Sequence, residues 1–221
     1  EMILTQQPDI IFLQEVDWNY KVNQLEDFAE DHGYYLAEKK NYSMVILSKT
    51  PLTFVPSQST PQTHIGYLFM ETIIDGQEIL LVNVHNPIPW FDKKALPLLG
   101  LSVWWYTDDF RNHRMDQLTE DLSQHQDKMI IFGGDFNMNA YTVDYRKLQP
   151  YQDAFKAGGT GLGFTWPNAR SEILKIPLTT PLFRLDYIFT SRDIIIHQAE
   201  KLSSTGSDHL PLLVTLSFPR N

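Results

Sequence analysis

The chain has 221 residues, of which 43% are hydrophobic and 20% are charged, as is usual for a globular domain with one substantial core. The formal net charge is −9, so the chain lacks the excess of basic residues that is typical of nucleic-acid-binding proteins. Cysteine is absent, which excludes thiolate catalysis, disulfide bonds and cysteine-ligated zinc. No apolar run approaches the roughly 18 residues that a membrane-spanning helix needs.

In chain order, short apolar runs alternate with amphipathic segments and turn signals. The predicted strands cover 9–14, 43–48, 67–74, 78–85, 128–134, 185–191, 193–200 and 210–217. Helical spacing of apolar residues predicts helices over 19–31 and 108–125. Asp75 and Gly76 form a hairpin signal between two of the strands. No repeat or linker interrupts this order, so we expect a single domain over residues 1–221, with an α+β fold of two mixed sheets flanked by helices.

Polar residues follow the first strand and the strand near residue 130. A carboxylate at a strand end, such as Glu15, can bind a hard cation like Mg²⁺, although a solvated loop acid beside Asp17 is the plainer interpretation. In the stretch Gly134–Asn139, Asp135 and Asn137 are two residues apart, so they point the same way if the segment is extended. Such a pair can activate water and orient a phosphate. An Asx-rich turn is the alternative interpretation.

A second group of polar residues lies nearer the C-terminus. Asp186 and the pair Asp208-His209 suggest an imidazole oriented by a carboxylate, which stays protonated near neutral pH and stabilises negative charge on a phosphate. The alternative for Asp186 is an ion pair with Arg184 at the strand end. His85 closes another apolar strand, where a structural histidine is the more common case.

Taken together, these segments resemble the endonuclease/exonuclease/phosphatase superfamily, which has the deoxyribonuclease I-like fold. The matching segments span nearly the whole chain in the family's order: Asp9–Glu15, Val82–His85, Gly133–Asn137, Arg184–Phe189 and Ser207–Pro211. The resemblance implies a four-layer α/β/β/α sandwich of two mixed sheets flanked by helices. It also implies in-line attack of water on a phosphate ester, assisted by a bound divalent cation.

The resemblance assigns the cation and the water to four carboxylate and amide residues. Glu15 resembles the main Mg²⁺ ligand, and Asp208 resembles a second carboxylate on the metal side. Mn²⁺ is an alternative, because both ions accept oxygen ligands. Asp135 resembles the acid that orients or deprotonates the attacking water, and Asn137 resembles the residue that holds the scissile phosphate.

The remaining site residues concern the phosphate oxygens. Asp186 resembles the residue that orients His209. His209 and His85 resemble the pair that contacts the phosphate oxygens in the transition state. The resemblance therefore turns His85, a structural histidine by its own context, into a candidate catalytic residue.

The start of the chain departs from the family pattern. Family members begin with a core strand that carries an asparagine near the metal, followed by a short helix. Here Glu1–Leu4 resembles only the end of that helix. We therefore expect a sandwich that lacks the usual first strand and a longer parent protein.

The segment 87–106 is unusually aromatic for a connection. One interpretation is a lid, a hydrophobic substrate wall or a loop that contacts a membrane or lipid. A short buried helix that packs on the core is the favoured interpretation. Phe164 and Trp166 lie in another loop of the family, where stacking on a base or sugar is an alternative to packing.

The sequence thus predicts a monomeric Mg²⁺-dependent phosphodiesterase or phosphatase. A nuclease and a lipid or small-molecule phosphatase are both open, and the acidic charge leans slightly away from a nuclease. A non-catalytic binding module on the same fold is the alternative from a different class. The compartment, whether extracytoplasmic or cytoplasmic, is left open.

Overall fold

The computed structural model describes residues 2–56, 66–88, 90–96, 101–107, 109–168, 180–203 and 206–219. Its strands are β1 (Ile10–Leu13), β2 (Tyr35–Lys39), β3 (Met44–Ser48), β4 (Thr53–Phe54), β5 (Tyr67–Ile74), β6 (Gln77–His85), β7 (Trp90–Leu96), β8 (Leu101–Thr107), β9 (Met129–Asp135), β10 (Gln152–Asp153), β11 (Asp186–Thr190), β12 (Ile195–Lys201) and β13 (Leu212–Ser217). Its helices are α1 (Met2–Gln6), α2 (Trp18–Asp31), α3 (Asp109–Ser123), α4 (Val143–Lys147) and α5 (Ala154–Gly158), with a 3₁₀ turn at Lys40–Tyr42.

The strands form one larger and several smaller sheets. The larger sheet has the strand order β10-β11-β9-β6-β5-β4, and a smaller one has the order β1-β3-β2. The strands β12 and β13 pair with each other, and so do β7 and β8. The strands β6 and β9 are parallel, whereas β5 and β6 are antiparallel. The predicted mixed sheets of an α+β fold are therefore confirmed.

The strand β3 lies between two hydrophobic layers and is buried along its whole length. Met44 and Ile46 point towards the larger sheet, where they join a cluster with Ile79 and Leu81. The alternate residues of β3 point the other way and pack with Leu25, Phe28 and Ala29 of α2. Because successive side chains of a strand alternate between its faces, a fully apolar β3 fits only a sheet that is covered on both sides.

The outer face of the larger sheet is covered by α3. Met115, Leu118 and Leu122 are fully buried in a cluster with Val82 and Phe132. Each such side chain contributes about 1.5–3 kcal/mol by its removal from water. The layers therefore follow the order helix, sheet, sheet, helix, as predicted. Among the described residues, no helix is long and apolar enough to cross a membrane.

Most predicted elements are present with ends shifted by one or two residues. Asp75 and Gly76 have φ angles of 51° and 78° and connect β5 to β6, which confirms the predicted hairpin turn. The two glycines do not end the strand predicted over 128–134, because β9 continues to Asp135. The glycines permit close approach instead: a Cβ on Gly134, whose φ is +139°, would lie 2.1 Å from the carbonyl oxygen of Val84.

The aromatic segment 87–106 was predicted to favour a buried helix, and this prediction was wrong. Its backbone forms the antiparallel pair β7 and β8, with Trp90 opposite Thr107 and Leu96 opposite Leu101. Lipid or membrane contact through this segment stays a prediction, because the side chains of β7 and β8 lie outside the described residues.

Candidate active site

Three neighbouring strands of the larger sheet bring polar residues to one edge. The register of the parallel strands β6 and β9 places His85 opposite Asp135. The strand β11 runs antiparallel to β9, and its first residue, Asp186, also lies opposite Asp135. The ends of two parallel strands and the start of an antiparallel neighbour meet at the same edge of a sheet. This topology collects three predicted site residues that are far apart in sequence.

The side chains of Asp135 and Asn137 contact each other through a tight turn. The backbone N–H of Asn137 donates to Asp135 Oδ1 at 2.9 Å, and its Nδ2 donates to Asp135 Oδ2 at 2.9 Å. The same Nδ2 donates to the carbonyl oxygen of Asn86 at 2.8 Å. Asn137 has a φ of 47°, so the predicted extended geometry was wrong and the Asx turn is present. This left-handed conformation, which asparagine tolerates, still places both side chains together.

Asp135 is an unusually basic carboxylate. Its residue is only 7% exposed, and burial together with the negative charge of Asp186 raises its pKa to about 7. The positive charge of His209 and the hydrogen bond from Asn137 act in the opposite direction. A carboxylate whose pKa is near neutrality is suited to accept a proton from water.

Asp186 holds the imidazole of His209. Nδ1 of His209 lies 2.8 Å from Asp186 Oδ2. Burial disfavours the imidazolium, but the hydrogen bond and charge of Asp186, with the charges of Asp135 and Asp208, raise the pKa of His209 to about 9. Arg184 forms its ion pair with Asp153 instead, so the alternative pairing of Arg184 with Asp186 was wrong. His209 is therefore a cation at neutral pH, and Asp186 sets its orientation.

Glu15 and His85 face each other across the edge of the two sheets. Glu15 follows β1 with a φ of 55°, and its Oε1 lies 3.5 Å from His85 Nε2. The hydrogen bond from His85 lowers the pKa of Glu15, burial opposes this, and the positive charges of His85 and His209 lower it further. The Glu15 side chain is 76% exposed, so it presents an ionised carboxylate to solvent.

A buried amide that the sequence analysis did not single out positions the end of β1. Asn83 is fully buried, and its Nδ2 donates to the carbonyl oxygens of Leu13 at 2.8 Å and Val45 at 2.9 Å. Its Oδ1 accepts from Gln14 Nε2 at 2.6 Å. Asn83 therefore ties the two sheets together next to Glu15. An asparagine inside an otherwise apolar strand was the signal for it, since a buried polar group needs partners.

Asp208 is held by the loop that carries Trp166. Its Oδ2 accepts from the indole N–H of Trp166 at 3.3 Å, and its carbonyl oxygen accepts from the backbone of Asn168 at 2.7 Å. The Trp166 ring also lies 5.9 Å from the ring of Phe183 and 6.4 Å from that of His209. Trp166 thus packs, as favoured, and steadies the loop of His209. The described contacts do not join the Asp208 carboxylate to Glu15, so its role as a metal ligand stays a prediction.

The donor atoms of the site fit a hard divalent cation. Among the described residues, Asp135, Asp186 and His209 offer ligand atoms that all lie within 4.8 Å of one another. Burial and the facing carboxylate of Asp186 raise the pKa of Asp135, and a bound cation would relieve the repulsion between the two acids. His209 is a poor ligand while it is protonated, because a metal binds neutral imidazole. The carboxylate oxygens of this cluster and of Glu15 are the donors that Mg²⁺ and Mn²⁺ prefer.

The two packed sheets thus bring carboxylates, an amide and a cationic imidazole together at one edge. Residues 1–209 match the model of the Endonuclease/Exonuclease/phosphatase family. The chain therefore belongs to this family, and its fold is deoxyribonuclease I-like. At the level of the family, it is a hydrolase of phosphate esters.

Solved structures with a similar fold include a complex with DNA, a phosphatase and a catalytic domain with bound sulfate. D. rerio TDP2 in complex with a single-strand DNA product is 17% identical with a TM-score of 0.70, covering 98% of this chain and 88% of that chain. A Bacteroides thetaiotaomicron mannosyl-6-phosphatase is 19% identical with a TM-score of 0.66, covering 98% and 88%. The human Nocturnin catalytic domain with bound sulfate is 19% identical with a TM-score of 0.65, covering 98% and 83%. A comparison with curated protein sequences found no match.

Proposed function

We propose that the chain is a Mg²⁺-dependent hydrolase of phosphate esters, in which Asp135 activates water for in-line attack on phosphorus. The observation that carries this proposal is the cluster of Asp135, Asp186 and His209, whose ligand atoms lie within 4.8 Å of one another. In this cluster Asp135, a carboxylate with a raised pKa, lies next to the imidazolium of His209, which Asp186 holds in place. Attack of water on a phosphate ester requires a base that removes a proton from the water and a cationic donor that stabilises the charge on the phosphate oxygens.

The side chains of the site have different tasks in this mechanism. Asp135 accepts a proton from the attacking water, and Asn137 holds both carboxylate oxygens in place. His209 donates from Nε2 to a phosphate oxygen, since its Nδ1 is occupied by Asp186. His85 contacts a second phosphate oxygen beside Glu15. A cation held by Glu15 would neutralise charge on the phosphate as a Lewis acid. The predicted contact of Asn137 with phosphate requires it to give up one of its two amide hydrogen bonds.

Substitution of Glu15 by glutamine is expected to weaken Mg²⁺ binding at least tenfold, because the amide removes the exposed negative charge of the site. Isothermal titration calorimetry with MgCl₂ measures this directly. Glu30→Gln, an exposed acid on α2, is the matched control and should bind like the unsubstituted protein. Equal affinities of the two variants would contradict the assignment of Glu15 as a metal ligand. Absence of Mg²⁺ binding by the unsubstituted protein would favour the non-catalytic binding module.

The pH profile of kcat/KM, which reports the pKa values of the free enzyme, should have two limbs that both depend on Asp186. Activity is expected to rise as Asp135 loses its proton near pH 7 and to fall as His209 loses its proton near pH 9. Removal of the Asp186 charge lowers both pKa values, so Asp186→Asn should shift both limbs to lower pH. The apparent values belong to the interacting cluster rather than to single residues. A profile that is unchanged in Asp186→Asn would contradict the proposed pairing.

Two assays separate a nuclease from a phosphatase. Nicking of supercoiled plasmid in Mg²⁺ would support a nuclease, and release of inorganic phosphate from phosphorylated sugars, lipids or nucleotides would support a phosphatase. The family resemblance supports both, because D. rerio TDP2 and the mannosyl-6-phosphatase share the fold. Failure of every phosphate ester with Mg²⁺ or Mn²⁺ would overturn the proposed function.

A further inference from the structure

A cleft with a volume of about 600 Å³ opens directly from the candidate active site. Glu15 and His85 line one part of it, and the guanidinium-bearing Arg114 of α3 lines another. Its remaining walls come from two loops and from the 3₁₀ turn, and they include Asp17, Tyr42 and Asn86. This volume is in the range of small-ligand sites, and it exceeds what a single attacked phosphate occupies.

Arg114 is fixed next to the backbone of His85. Arg114 is only 9% exposed. A Cβ added to Gly66 would lie 3.2 Å from Arg114 Nη1 and 2.3 Å from the carbonyl oxygen of His85. The guanidinium and this carbonyl group therefore both lie next to Gly66. The hydroxyl of Tyr67 contacts both the carbonyl oxygen of Arg114 at 2.9 Å and Asn86 Oδ1 at 2.8 Å. The start of α3 and the end of β6 are thereby held together, so Arg114 has a defined place relative to His85.

A second cation, Lys39, lies against Tyr42, which lines the cleft. Nζ of Lys39 donates to the carbonyl oxygen of Tyr67 at 3.0 Å and lies 4.9 Å above the ring of Tyr42. Burial and, after it, the positive charge of Arg114 lower the pKa of Lys39 to about 8. An anion bound near Lys39 and Arg114 would offset the repulsion that helps to lower the pKa of Lys39. Two acids also line the cleft: Glu15 belongs to the proposed metal site, and Asp17 is exposed to solvent.

We propose that this cleft is a subsite for a second phosphate group of the substrate, with the guanidinium of Arg114 as its main ligand. The proposal rests on the proposed function and narrows it to esters that carry another phosphate near the scissile one. Guanidinium matches the geometry of phosphate oxygens and binds them in pairs. The second phosphate belongs either to the neighbouring nucleotide of a nucleic-acid strand or to a small multiply phosphorylated molecule.

Binding of inorganic pyrophosphate in metal-free buffer tests the subsite independently of catalysis. Calorimetry is expected to show at least tenfold weaker binding to Arg114→Gln, because a hydrogen bond between charged groups is lost. Arg114→Lys keeps the charge without the paired donors and should bind with intermediate affinity. Lys128→Gln is the matched control, since Lys128 is a partly buried, ion-paired cation that precedes β9 and lies about 20 Å from its active-site end. Circular dichroism confirms that each variant is folded.

Steady-state kinetics then identify the source of the phosphate. The KM of Arg114→Gln is expected to rise at least tenfold more for an ester with a second phosphate than for bis(p-nitrophenyl) phosphate. A selective loss of activity with single-stranded oligonucleotides identifies the substrate as nucleic acid, and a selective loss with nucleoside bisphosphates identifies it as a small molecule.

A uniform loss of activity on all substrates would show that Arg114 only positions His85, and it would overturn the subsite. The subsite would also be overturned if the unsubstituted protein and Arg114→Gln bound pyrophosphate with equal affinity, or if neither bound it. Arg114-dependent pyrophosphate binding without hydrolysis of any ester would instead overturn the proposed function and leave the subsite intact.

Discussion

Replacement of Asp135 by asparagine is expected to lower kcat by about 10²–10⁴-fold, the usual contribution of a general base. Asparagine has nearly the same shape but cannot accept a proton from water. Its single side-chain oxygen accepts only one of the two hydrogen bonds that Asn137 donates to Asp135. The measurement is kcat at pH 8, where Asp135, with a pKa of about 7, is mostly ionised.

The stability of Asp135→Asn should change little, because two effects oppose each other. The lost hydrogen bond costs about 1 kcal/mol. Burial and the charge of Asp186 raise the pKa of the native carboxyl to about 7, above its ordinary value of 3.8. Between these two pH values the native state binds a proton that the unfolded chain has released. Stability therefore falls as the pH rises from about 4 to 7, and the neutral asparagine avoids this loss. The Tm of the variant at pH 8 should be close to that of the unsubstituted protein or higher.

Asp153→Asn is the matched control for a buried aspartate. Asp153 is 7% exposed and pairs with Arg184, so its loss leaves a largely buried cation without its partner and should lower the Tm. Its kcat should stay near that of the unsubstituted protein, because Asp153 lies outside the site. The two variants thus have opposite expected signatures. Near-normal kcat in Asp135→Asn would contradict its role as the base.

Replacement of His209 by alanine is expected to lower kcat by about 10²–10³-fold, the loss seen when one preorganised donor is removed from a charged transition state. His209 is held by Asp186 and is protonated at neutral pH, because its pKa is about 9. The loss should appear mainly in kcat rather than in KM, since charge on the phosphate oxygens increases in the transition state.

His197→Ala is the matched control for the loss of a histidine. His197 is exposed and contacts the hydroxyl of Ser217 at 2.8 Å, within the β12–β13 pair. Both kcat and the pH profile should be unchanged in this variant. If His209→Ala retained the alkaline limb near pH 9, another group would have to be the titrating acid.

Local sequence patterns were sufficient to predict most of the core. The position and length of the apolar runs predicted β5, β6, β9 and β11 to within about two residues, because a strand buried on both faces leaves a run of apolar residues. The tight turn at Asp75-Gly76 was equally clear, since few residue pairs adopt positive φ angles at both positions. Short elements such as α4 and α5 were missed, because five residues give too little periodicity to recognise.

The candidate site was predicted only by way of the family resemblance. Taken alone, His85 was more plausibly structural, and Asp186 had Arg184 as an obvious neighbour for an ion pair. The register of β11 against β9 decided the second case, because it turns Asp186 towards His209 while Arg184 reaches Asp153. A choice between partners that are distant in sequence depends on strand pairing, which local patterns do not encode.

By itself, the sequence determined which residue types were available: carboxylates, amides and histidines at strand ends, and no cysteine. The tertiary structure decided what those residues became. It buried Asp135 beside Asp186 and so raised the pKa of Asp135, it placed a cation of α3 behind His85, and it folded Asn137 back onto Asp135 through a left-handed turn. The reason is physical: burial and the distance between charges set a pKa and a binding site, and both exist only once the sheets have packed.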